Sequence, residues 1–184
     1  ALMAGLTDVN VGVMRFNGDE GGSVIAPVAG IETSRESVTE IVDGLTTGGR
    51  TPLSEAMYEA ALVFRGDGVD YGNGGSIRSV DSSRVGGAID SPLYLSPITD
   101  ACGKNYIILL TDGEPSGDTS ANDKITALPG YGTVVGTGCD GTGEGRCLDD
   151  VAAYLLRQDL NDSLPGLQNV VTHTIGFEVD FPLL

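Results

Sequence analysis

The chain has 184 residues, of which 40% are apolar and 20% charged, enough to build one domain spanning 1–184 and too apolar for a disordered tail. Ten Lys and Arg against 26 Asp and Glu leave a formal charge of −16, which repels nucleic-acid phosphates and anionic membranes and suits cations or a secreted, self-repelling surface. The longest apolar runs, Tyr106 to Leu110 and Val151 to Leu156, fall far short of the roughly 20 residues that a membrane-spanning helix needs, so no span is expected.

Ala1 lies in mid-pattern, with no basic segment or hydrophobic signal region around it, so the chain is expected to start inside a longer protein. Val9 to Phe16 alternates apolar with polar or small residues. Asn17 to Gly22 is turn-forming, and Ser23 to Val28 is β-rich, which predicts a hairpin. Ser34 reads as a helix cap ahead of Val38, Ile41, Val42 and Leu45 at helical spacing, and Gly48-Gly49 ends that segment. Thr51-Pro52 opens a second helix, since proline is tolerated in the first turn, with Leu53, Ala56, Met57, Ala60, Ala61 and Phe64 as its buried stripe.

Residues 65–101 carry no sustained period and read as an inserted, solvated excursion; Asp67, Asp70 and Asn73 within it are spaced poorly for calcium. Lys104 to Thr111 is then a strand apolar enough for burial on both faces, and Asp112-Gly113-Glu114-Pro115 turns out of it. A carboxylate just past a strand's carboxyl end stands where α/β sheets gather their ligands. Cys139 and Cys147 flank a Gly-rich loop that a disulfide would close in an oxidising compartment, leaving Cys102 over; three Cys and one distant His lack zinc spacing. Leu148, Val151, Ala152, Leu155 and Leu156 mark a helix, and Asn169 to Phe177 a last strand holding the sole histidine, His173, as a half-buried structural residue. Alternating strands and helices predict an α/β fold, a mainly parallel three-layer sheet begun by an antiparallel hairpin.

Gly48-Gly49-Arg50-Thr51-Pro52-Leu53 opening a helix and Leu110-Thr111-Asp112-Gly113-Glu114 closing a strand together resemble the von Willebrand factor type A domain, a Rossmann-like fold. Val170 to Phe177, with its Thr174-Ile175-Gly176-Phe177, resembles the strand that follows in that family. The wording GGRTPLSEAMYE (48–59) and CGKNYIILLTDGEP (102–115), with the long insertion between them, is similar to the amino-terminal domain of PilY-type proteins, tip-associated adhesins of bacterial type IV pili. The resemblance implies that Thr51 and Asp112 are two ligands of a metal-ion-dependent adhesion site for Mg²⁺ or Ca²⁺, with Mn²⁺ also accepted. Glu114 would support them from outside the ion's own ligands. Hydroxyl and carboxylate are hard donors suited to such ions, and an octahedral ion leaves a vertex for a partner's carboxylate. The implied location is extracellular, at the bacterial surface, with pilus components and a protein or host-surface ligand as partners.

One motif departs from the family. Its first loop supplies Asp-x-Ser-x-Ser at the end of a central strand, and this sequence has no such motif; the family's last strand is likewise expected to fall outside it. The expectation is therefore a gap in the sheet and weak metal binding by this segment alone. Two other functions compete with metal-dependent adhesion. One is a metal-independent scaffold that binds through residues 65–101. The other is a metal-dependent hydrolase using Asp112, Glu114 and His173, which lacks a histidine pair and a nucleophile with an adjacent base.

Overall fold

A computed structural model of the protein describes residues 5–74 and 77–177. Strands β1 (Asn10–Phe16) and β2 (Gly22–Gly30) form the expected antiparallel hairpin, running from Asn10 opposite Gly30 to Phe16 opposite Gly22. Its turn closes through the Asn17 N–H donating to the Gly21 carbonyl at 2.9 Å. Gly21 has φ +68°, and a Cβ there would strike the Tyr71 ring, so glycine is required twice over.

Helix α1 (Ile31–Asp43) follows β2 directly, starting three residues ahead of Ser34. Ser34 is therefore no cap: its hydroxyl donates back to the Gly30 carbonyl at 3.0 Å from inside the first turn. Only Ile31 and Val38 of α1 are buried, while Val42 and Leu45 stay exposed, so the expected apolar stripe is covered at one end only. Helix α2 (Leu53–Arg65) is capped by Pro52, one position before the first-turn site expected for it, and ends at left-handed Gly66.

The described residues include β3 (Asn105–Thr111), the short helices α3 (Asn122–Thr126) and α4 (Tyr131–Val134), then α5 (Leu148–Arg157) and β4 (Val170–Gly176). β3 and β4 pair in parallel from Asn105 opposite Val170 to Thr111 opposite Gly176. The fold is thus mixed α/β with two separate two-stranded sheets, and among the described residues no strand joins the hairpin to β3. The core lies between α2, α5 and the inner faces of both sheets, where Leu53, Met57, Val151, Leu155, Leu109 and Val170 meet; each such side chain contributes about 1.5–3 kcal/mol.

Two expectations about burial are corrected. β3 is covered on one face only: Tyr106, Ile108 and Leu110 are 53%, 61% and 53% exposed, because a parallel strand is buried on both sides only where helices cover both. α2 in turn is buried almost all round, because the described residues of 65–101 are no solvated excursion and wrap its outer side through three 3₁₀ turns, two isolated bridges and Tyr71, Tyr94 and Ile98 in the core. Arg84, 1% exposed, organises that wrap by donating to the carbonyls of Gly72, Ser79 and Ser91 and to Asn73 Oδ1.

Candidate functional site

Thr51 and the turn after β3 are built into one rim. The Ser116 N–H donates to the Thr51 carbonyl at 3.1 Å, and the Thr51 N–H donates to Ser116 Oγ at 3.0 Å. That pairing draws the start of α2 against the Asp112 turn. A Cβ on Gly113 would stand 3.7 Å from the Thr51 hydroxyl. Inside the turn, the Thr111 hydroxyl donates to the Gly113 carbonyl at 2.9 Å and holds it tight. Asp112 and Glu114 point outward as exposed carboxylates, and Thr51 is half-buried beside them.

The glycines ahead of Thr51 serve approach. Gly49, at φ +97°, passes so close to Gly18 that a Cβ would lie 2.7 Å from its carbonyl oxygen, and the next N–H, of Arg50, donates to that oxygen at 2.9 Å. The hairpin turn, the 48–52 loop and the 112–120 loop therefore share one end of the molecule.

Two buried carboxylates that the sequence did not announce fix these loops. Asp118 accepts from the Ser54 N–H at 2.8 Å, the Ser54 hydroxyl at 2.7 Å and the Glu55 N–H at 3.0 Å, capping α2 from a distant segment because Pro52 offers no side-chain acceptor. Glu55 reaches the other way, accepting from the N–H of Gly21 and from both the N–H and the hydroxyl of Ser120. A third, Glu59, holds the wrap over α2 by accepting from the N–H groups of Asp70, Tyr71 and Gly72 and from the Tyr94 hydroxyl.

Burial is the main cause that pushes the carboxyls of Glu55, Glu59 and Asp118 above their ordinary values, 4.5 for the two Glu and 3.8 for Asp. At Glu59 the Tyr94 hydroxyl and the three N–H donors oppose burial without cancelling it; Tyr58, whose own hydroxyl is raised, and Arg84, reached through Gly72, also face this region. A carboxyl raised by folding binds its proton more readily in the folded chain, so these groups favour the folded state as pH falls and oppose it as pH rises through the interval above 4.5. The melting temperature is expected to rise between pH 7 and pH of about 5, with a shallower slope in Glu59→Gln. An equal slope in the two proteins would remove Glu59 from this account.

The remaining sequence candidates fall elsewhere. Cys139 and Cys147 are joined by a disulfide with 5.1 Å between Cα atoms, and Cys102 is exposed with a free thiol. The loop so closed meets the rim, because the Gly145 N–H donates to the Asp118 carbonyl at 3.1 Å and Gly145 packs on Pro115. Asp67 pairs with Arg65 and Asp70 with Lys124, and Asn73 Oδ1 accepts from Arg84, so these three already have partners within the protein. His173 is exposed, not half-buried, and stacks on Tyr106 with ring centroids 6.0 Å apart. Its register partner is Ile108, four residues before Asp112 and hence about 13 Å along the strand, so histidine and carboxylates form no common cluster. No helix among the described residues is long and apolar enough to cross a membrane. Comparison with known protein families, with characterised proteins and with solved structures finds no match.

Proposed function

We propose that the chain is a non-enzymatic recognition domain of the von Willebrand factor A type, displayed at a bacterial surface by a type IV pilus-associated protein. Its partner, a protein or host-surface ligand, docks through a divalent cation held between Thr51 and Asp112. The observation that supports this reading most is the Thr51–Ser116 pairing, which brings a hydroxyl and the turn carrying an exposed carboxylate to one solvent-facing rim. Hard oxygen donors of this kind suit Mg²⁺ or Ca²⁺, and an ion resting on only two of them keeps vertices for a partner's carboxylate.

Two ligands hold an ion loosely, and among the described residues Asp112 belongs to no group of three potential metal-ligating side chains. Isothermal titration with Mg²⁺, Mn²⁺ and Ca²⁺ should therefore show no Asp112-dependent binding tighter than about 1 mM. Tight binding abolished by Asp112→Ala would contradict this two-ligand account.

A second reading has its own observation. The 65–101 wrap presents Val85, Leu93 and Leu95 to solvent, the last 58% exposed, as a surface for binding by shape without metal. Deleting the wrap would strip Glu59 of its donors, so the surface is better changed than removed. Partner binding lost in Leu93→Ser/Leu95→Ser and kept in Thr51→Ala favours the scaffold; the reverse pattern favours the ion.

A further inference from the structure

A different group of carboxylates lies at the disulfide-closed loop. Asp140 follows Cys139, while Asp149 and Asp150 sit in the first turn of α5 just after Cys147, so the disulfide carries the loop acid to the helix start. One carboxylate oxygen from each of the three falls within 4.8 Å of the others. Oxygens sharing one Ca²⁺ lie at most about 5 Å apart, since each is roughly 2.3–2.6 Å from the ion. Among the described residues no Lys or Arg forms an ion pair with any of the three.

A helix start by itself favours negative charge and accounts for Asp149 on α5. It does not account for Asp150, which is 8% exposed and whose Oδ2 is buried with no hydrogen-bond donor. The Tyr131 hydroxyl and the Asp140 N–H both face the Asp150 carboxyl, but neither meets Oδ2 at hydrogen-bond distance, and the hydroxyl donates to the Gly138 carbonyl at 3.3 Å. A buried carboxylate oxygen without a donor is costly unless a cation meets it.

We infer that Asp140, Asp149 and Asp150 form a Ca²⁺ site, separate from the Thr51–Asp112 rim, that ties the disulfide loop to α5. Asp140 and Asp149 are exposed, so water completes the coordination. Ca²⁺ accepts such an irregular set of six to eight oxygens, whereas Mg²⁺ demands a near-ideal octahedron.

The test is calcium titration of the chain, followed by calorimetry and by thermal unfolding, with Mg²⁺ as the second metal. One Ca²⁺ per chain should bind and raise the melting temperature, with Mg²⁺ weaker. Asp140→Asn and Asp149→Asn alter exposed positions that the fold tolerates, and each should weaken Ca²⁺ binding at least about tenfold, while Asp112→Ala leaves it unchanged. Absence of heat and of any melting shift up to about 10 mM Ca²⁺, or a smaller loss in these variants, overturns the site. Loss in Asp112→Ala alone would also overturn it and assign the ion to the other rim.

Discussion

Glu59→Ala is expected to lower the unfolding free energy by about 3–5 kcal/mol, among the largest single-residue effects in this protein. Glu59 is fully buried, and its two oxygens take hydrogen bonds from Asp70 N–H at 3.1 Å, Gly72 N–H at 3.0 Å, Tyr71 N–H at 2.9 Å and the Tyr94 hydroxyl at 2.6 Å. Truncation leaves four donors unpaired inside the molecule, each costing about 1–3 kcal/mol, partly offset by removing a carboxylate that burial disfavours. Glu59→Gln should cost less, since the amide keeps an acceptor oxygen while setting its own N–H groups against donors. Urea unfolding measures both, and a loss below about 1 kcal/mol for the alanine variant would show that Glu59 does not hold the wrap. Hydrogen exchange should find the Tyr71 and Gly72 amides deprotected in Glu59→Ala well before those of β3.

Removing the disulfide in Cys139→Ser/Cys147→Ser should cost about 2–3 kcal/mol, the loop-closure entropy expected for cysteines only eight positions apart. The effect should not stay local. Gly145 of this loop holds the Asp118 carbonyl and packs on Pro115, and Asp118 caps α2 next to Thr51. Loosening the loop therefore frees the turn that carries Asp112. Unfolding curves of the oxidised protein and the double serine variant should differ by that amount, and coincident curves would mean the loop is held by its packing alone.

The strands were legible because period and turn chemistry mark them directly: the hairpin around Asn17, β3 ending at Thr111, and β4 through His173 all stand within a residue or two of their expected places. Thr51 and Asp112 were legible as a pair of loop signatures, and the structure sets their loops together through Ser116, a residue that no pattern singled out. Glu55 and Glu59 were illegible because carboxylates in a helix read as its solvent face; their partners are backbone N–H groups of irregular segments, which leave no trace in composition. The 65–101 wrap lacked periodicity for the same reason, since it packs through turns and polar contacts around Arg84. Asp140 and Asp150 lie on opposite sides of the Cys139–Cys147 disulfide, so their meeting depends on a loop closure that the linear pattern does not show.

The recognition site is tested most directly by following backbone amide signals as trace Mn²⁺ is added, because paramagnetic broadening reports even loose binding. The Thr51 and Gly113 amides, on loops joined at Ser116, should broaden together, and Asp112→Ala should abolish the effect at both while sparing any broadening near Asp149. Broadening at neither amide, or at one without the other, would contradict a cation shared between Thr51 and Asp112.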